Sequence, residues 1–149
     1  MDKMSPFYPH GGIPVPFSGG LTASCVEGIW QGLKVFENEG IHRTCFQNDT
    51  MKNLKRTVRV QGRCIGHQKG VNSSELLGYI DARKQILVPS YVWMLEHRCQ
   101  KQIEMIKELQ KTRTVVLLDY DTNDDIEDPA KPLSHTSLIK RYVEETLPI

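Results

Sequence analysis

The chain has 149 residues, of which 39% are apolar and 25% charged, and a net charge of +1. These figures predict one soluble domain that buries about two-thirds of its unfolded surface. They exclude a bulk field drawing the protein to nucleic acid or membrane, so an anionic ligand has to be met by a local cluster of cations.

No apolar run approaches the roughly 18 residues of a membrane-spanning helix. The opening Met1-Asp2-Lys3-Met4-Ser5-Pro6 has no apolar signal core. The expectation is a cytoplasmic protein without a membrane partner. The cysteines, Cys25, Cys45, Cys64 and Cys99, form no CxxC pair, so a zinc ribbon is not indicated and free thiols are expected.

Residues 5–20 carry four prolines and four glycines together with Phe7, Tyr8, Ile13, Val15 and Phe17. Such a stretch cannot be a regular helix, and its aromatics set it apart from a disordered tail. It reads as an ordered extended segment, with a short strand near Ile13–Phe17. A first helix is predicted from Thr22 or Ser24 to Glu37, with Gly40 just past its end. A second, short one is predicted over 48–56. Val58 and Val60 alternate within a short strand or extended loop over 57–65, and Gly66 to Gly70 reads as a turn. A third helix is expected from Ser73 or Ser74 through Leu76, Leu77, Ile80 and Ile86. A fourth starts at Pro89 and runs to Lys111 on a stripe of Leu95, Cys99, Ile103, Ile106 and Leu109. Thr114–Asp119 is short, apolar and β-branched, which predicts a strand. A last helix, capped by Ser134 or Thr136, runs through Leu138, Ile139, Tyr142 and Val143 towards Pro148. The fold class expected is mainly α, of the α+β kind: a compact multi-helical single domain with a few short strands.

The most informative stretch is 24–36. Glu27, Gln31 and Lys34 recur at i, i+4 and i+7, so a helix places them on one face. Val26, Ile29, Trp30, Leu33 and Phe36 cover much of the remaining circumference, the pattern of a buried helix. Buried charges are costly unless paired; the plain alternative is a water-facing contact worth a few tenths of a kcal/mol.

Arg43, Lys52, Lys55, Arg56, Arg59, Arg63 and Lys69 cluster and could meet phosphate, or form a solvated face. Asp119, Asp121, Asn123 and Asp125 alternate like a calcium loop. However, Asp124 replaces the turn glycine and Ala130 the bidentate glutamate, so no metal site is assigned. Asp119 and Asp121 stand apart because they close a predicted buried strand, where functional side chains often project. The histidines lie on separate elements without metal-ligand spacing. His67, between Gly66 and Gly70, is the most exposed candidate for substrate contact. No phosphate loop, dinucleotide fingerprint or nucleophile elbow is present.

Several of these residues resemble a family pattern. Ser5-Pro6-Phe7-Tyr8-Pro9 is similar to the S-x-F-Y-P opening of the NADAR superfamily, and Val26-Glu27-x3-Gln31-x2-Lys34-x-Phe36 to its central helix, T-V-E-H-x-x-Q-A-x-K-F. The long helix, the following strand and the 133–145 helix are similar in order to its C-terminal half. Gly28 stands where the family has His, and the D-x-x-W-G after the strand is missing. The family includes N-glycosidases of riboflavin-pathway intermediates and enzymes that remove ADP-ribose from guanine bases. The resemblance implies a glycosidase-type hydrolase acting on an ADP-ribosyl or ribosyl-phosphate bond, without cofactor. Its ligand would be ADP-ribose or a ribosylated base, possibly on nucleic acid.

In that reading Glu27 is the carboxylate beside the anomeric carbon and Lys34 its partner or an amine nucleophile. Gln31 orients the pair or the ribose hydroxyls. Phe7, Tyr8 and Trp30 wall the pocket, and Arg43 or the 52–69 cluster meets phosphate. Two alternatives remain: a non-catalytic ADP-ribose-binding module, and an adaptor in which Glu27 and Lys34 are a surface pair.

Overall fold

The proline-rich opening is tied to the rest of the chain by its backbone. In the computed structural model, which describes residues 2–56, 61–116, 125–130 and 132–147, Pro6 O accepts from Glu27 N–H at 2.9 Å and Gly11 N–H donates to Ser24 O at 2.9 Å. Tyr91 adds a hydroxyl bond to Met4 O at 2.5 Å. Within the segment, β1 (Ile13–Pro14) pairs antiparallel with β2 (Thr22–Ala23). The extended segment expected from sequence is therefore present, with its apolar Ile13 and Val15 buried in the core.

The first helix, α1, covers only Val26–Gly32. Its N-cap is Cys25, whose Sγ accepts from Gly28 N–H at 3.3 Å, rather than Thr22 or Ser24. The chain leaves the helix at Leu33 and continues as β3 (Lys34–Phe36). Two glycines on α1 explain its position. A Cβ on Gly28 would lie 2.5 Å from Cys45 O, and one on Gly32 would strike the Phe46 ring. The helix thus packs its Gly28–Gly32 edge directly against a 3-10 turn, Arg43–Gln47.

β3 is the edge of a three-stranded antiparallel sheet with β4 (Cys64–Gln68) in the middle and β5 (Leu76–Leu77) on the far side. The register places Lys34 opposite His67 and His67 opposite Leu77. So 66–68, expected as a turn, belongs to a strand, and Leu76–Leu77, expected in a helix, pairs with it. The expected helix over 48–56 is absent: Met51 and Asn53 have φ of 62° and 60°, which no right-handed helix tolerates.

Helix starts at Tyr79 instead. α2 (Tyr79–Ala82), a π turn (Arg83–Leu87) and α3 (Val88–Arg98) follow without interruption. Pro89 lies in the first turn of α3. Directly before it, Val88 N–H bonds Arg83 O, the wider i→i+5 closure that defines the π turn. The expected long helix to Lys111 is broken at Cys99, where φ is −125°. The break allows the Cys99 thiol to donate to Lys3 O at 3.2 Å, and α4 (Gln100–Gln110) then begins. The predicted strand 114–119 is not seen over 114–116, and 117–119 lie outside the described residues. α5 (His135–Val143) is capped by Ser134, whose Oγ accepts from Ser137 N–H at 3.3 Å.

The main core joins Ile13 and Val15 with Ile29 and Leu33 of α1, Ile86, Tyr91 and Met94 of the long helical run, Ile103 of α4 and Ile139 of α5. Burying each such side chain contributes about 1.5–3 kcal/mol. The protein is a compact α+β fold of several helices and two small sheets. No helix among the described residues is long and apolar enough to cross a membrane.

Candidate active site

The cleft in front of α1 encloses about 450 Å3 and is walled by α1, β3, α2 and the start of α5, with Pro6 and Phe7 of the opening segment on its rim. Glu27, Trp30, Gln31 and Lys34 all line it. Lys34 reaches it from β3 rather than from the helix. A helix continued to position 37 would have put Lys34 on the Glu27 face by periodicity; the strand does so by turning back beside the helix end.

Gln31 is 3% exposed, and its amide is held from both ends. Its Oε1 accepts from the Arg56 backbone N–H at 3.3 Å, so its Nε2 is turned towards Glu27 Oε1, to which it donates at 2.8 Å. That arrangement fixes one carboxylate oxygen and leaves the other face of Glu27 to the cleft. Arg56 completes the support. Its Nη1 donates to Gln31 O at 3.1 Å and Lys34 O at 2.7 Å, and its Nη2 to Gly40 O at 2.5 Å. The guanidinium also lies 4.7 Å over the Phe36 ring.

Glu27 and Lys34 make no direct ion pair among the described residues. Burial pushes the Lys34 ammonium below its ordinary value, against the opposing pull of Glu27. Lys34 is thereby a readier amine than a surface lysine.

Among the described lining residues the cations are Lys34, Lys55, Arg56 and Arg83, and Glu27 is the sole carboxylate. In a protein of net charge +1, the described residues bring four cations to one small cleft, a field suited to an anion. Arg83 is 1% exposed and joins the two walls. Its Nη1 donates to Ile126 O at 3.1 Å and Asp128 O at 2.6 Å, and its Nη2 to Tyr79 Oη at 3.0 Å. Its Cζ lies 4.4 Å over the Tyr79 ring. Tyr79 is 41% exposed and stands 6.1 Å from Trp30, so the two rings present aromatic surface to the cleft. His135, also on the wall, lies 3.5 Å from Asp2.

Several expected site residues are elsewhere. Arg43 is exposed on the 3-10 turn and does not line the cleft; Lys55 and Arg56, from the same basic cluster, do. Tyr8 does not line the cleft and its ring lies 4.5 Å from that of His10, whereas Phe7 lines the cleft. His67, expected to be exposed, is 2% exposed because β4 is the central strand of its sheet. Its ring lies 3.8 Å behind that of Trp30. Burial, with Lys34 nearby, pushes its pKa down to about 3, so it is neutral and backs the wall rather than meeting ligand. Asp119 and Asp121 lie outside the described residues.

Arg83 and Tyr79 escaped the sequence reading. The signal was present: Ile80, Arg83 and Leu87 follow an apolar helical spacing in which a cation takes a core position.

The chain matches the family of unknown function DUF6939 over residues 1–139 and belongs to that family. No curated protein and no solved structure matches it.

Proposed function

We propose that this protein is an N-glycosidase-type hydrolase acting on an ADP-ribosyl or ribosyl-phosphate N-glycosidic bond, such as that joining ADP-ribose to a guanine base. One observation carries the reading: among the described residues, a single carboxylate, held by a buried amide, lines a cleft whose other charged lining groups are cations. An N-glycosidic substrate with phosphate needs that combination. Its phosphates call for cations, while the positive charge that develops at the anomeric carbon calls for one negative group.

In this mechanism the C1–N bond breaks, and the departing base takes a proton. Glu27 faces the oxocarbenium-like carbon. Water, deprotonated by Glu27 or by the Lys34 amine, then forms the new C1–O bond. Alternatively, the free Lys34 amine displaces the base at C1, the sugar ring opens to the imine, and water hydrolyses that imine to release the sugar and the amine. Trp30 and Tyr79 offer aromatic faces to the leaving base. Lys55, Arg56 and Arg83 supply the field for phosphate. The resemblance to the NADAR pattern at Glu27, Gln31, Lys34 and Phe7 supports the same reading. The four free thiols fit a reducing, cytoplasmic setting.

A second reading, a binding module without turnover, rests on the Gly28 that stands where the NADAR pattern has His and on the missing Trp-Gly after the strand. The structure gives Gly28 a packing reason, its approach to Cys45 O, so its presence does not argue for lost catalysis.

The test is release of free base from ADP-ribosylated guanine substrates and from ribosyl phosphates. Glu27→Gln, nearly isosteric, is expected to keep the fold and lower kcat at least about a hundredfold with little change in binding. Full activity in that variant would refute the assignment of Glu27. Binding of ADP-ribose by the wild type without any base release would favour the module.

A further inference from the structure

A second, smaller cleft of about 280 Å3 lies on the other side of Arg56, between the 3-10 turn and Gln61. It shares Lys55 and Arg56 with the main cleft. Its other lining residues include Thr44, Asn53, Gln61 and His42, and no carboxylate lines it among the described residues.

Two polar atoms in its wall lack partners. The Arg56 side chain is 3% exposed, and its Nε–H has no acceptor; Gln61 Oε1 has no donor. An unmet buried donor costs about 1–3 kcal/mol, more when it is charged. Among the described residues Arg56 has one long ion pair. Its hydrogen bonds go to carbonyl oxygens, and its nearest carboxylate, on the half-exposed Glu39, is 4.0 Å away.

We propose that this second cleft binds a phosphate group, either as the free ion or as the phosphate of an ester whose sugar lies in the main cleft. A phosphate oxygen gives the Arg56 Nε–H the acceptor it lacks, beside Lys55. The Gln61 amide accepts from a P–OH or, turned over, donates to a P–O. Thr44 and Asn53 supply further donors. Asn53 holds a left-handed backbone, φ 60°, a conformation asparagine tolerates better than most residues.

The site is coupled to the main cleft through Arg56, whose backbone N–H holds Gln31 Oε1 and whose Nη1 holds the carbonyls of Gln31 and Lys34. An anion drawn to Arg56 from behind therefore acts on the groups that set Glu27 and Lys34. The proposal needs only this geometry and stands whether or not the protein cleaves glycosidic bonds.

The experiment is a titration of the full chain with inorganic phosphate at constant ionic strength, followed by NMR and compared with chloride. The expected result is saturable shifts at Thr44, Asn53 and Gln61, with the Gln31 side-chain amide moving in parallel. Asn53→Asp keeps the size and backbone preference but adds a like charge, and should weaken phosphate binding by about tenfold or more. Asn53→Gly keeps the left-handed backbone, loses the side chain, and should bind more weakly than wild type but better than Asn53→Asp. Ribose 5-phosphate distinguishes the sources: shifts at the second cleft together with Trp30 and Tyr79 indicate an ester, and shifts from free phosphate alone indicate the ion. Shifts confined to Trp30 and Tyr79, no saturable shift, or unchanged affinity in Asn53→Asp would overturn the proposal.

Discussion

Lys34 stands directly opposite His67 across the β3–β4 pair, and burial holds both groups below their ordinary pKa values. The Lys34 charge disfavours a charge on His67, whose ring lies 3.8 Å from that of Trp30 in the cleft wall.

The first prediction concerns acid stability. With the His67 pKa lowered from 6.5 to about 3, the unfolded chain binds the extra proton across that window. The fold should therefore lose about 1.4 kcal/mol for each pH unit between those values from this residue alone. The effect is absent above pH 6.5 and complete below about 3. His67→Phe keeps the ring against Trp30 and removes the two unpartnered nitrogens. Urea midpoints at pH 7 and pH 4 should show a smaller acid loss in the variant. An identical loss would mean that His67 is not the buried neutral group described.

Lys34 makes a prediction of opposite form on activity. If its neutral amine acts, turnover should rise with pH through a pKa below the ordinary 10.5. If its charge acts, turnover should fall through the same pKa. Lys34→Met should abolish that limb in either case. Borohydride should trap a sugar adduct on the wild type only if the amine attacks, and never on the variant.

Gly28 bears on packing. Gly28→Ala places a methyl 2.5 Å from the Cys45 carbonyl oxygen, and backbone cannot rotate away as a side chain can. A loss of about 1–3 kcal/mol is expected, read as a lower denaturant midpoint with an unchanged slope. Stability equal to wild type would mean that α1 does not sit against the 3-10 turn as described.

The thiols should divide by exposure. Cys25, Cys45 and Cys99 are buried with pKa values pushed up by burial, Cys99 to about 11, whereas Cys64 is exposed. At neutral pH a thiol reagent should modify Cys64 quickly and the others only as the protein opens. Four groups should titrate after denaturation without reductant.

By itself the sequence determined the fold class, the ordered proline-rich opening, a last-helix cap at Ser134 or Thr136 and the Glu27–Gln31 contact. Each is written in local spacing: Glu27 and Gln31 are neighbours in any helix containing both, and Ser134 caps whatever helix begins after it. Tertiary structure decided the rest. Helical periodicity led the first helix through Lys34, but the backbone of Lys34–Phe36 pairs with β4. Likewise Leu77 fits a helical stripe and instead pairs with His67. Both outcomes depend on strands thirty or ten residues distant, and no local pattern carries that information. His67 was misjudged as exposed for the same reason, since its flanking glycines signal a turn and only the sheet puts it in the middle. The cleft itself is a tertiary object. Arg56 and Arg83 reach it from separate stretches, and what fixes them there is a set of backbone carbonyls on Gln31, Lys34, Gly40, Ile126 and Asp128. Every residue has a carbonyl, so the sequence does not mark these as acceptors; folding does, by leaving them where a buried guanidinium needs one.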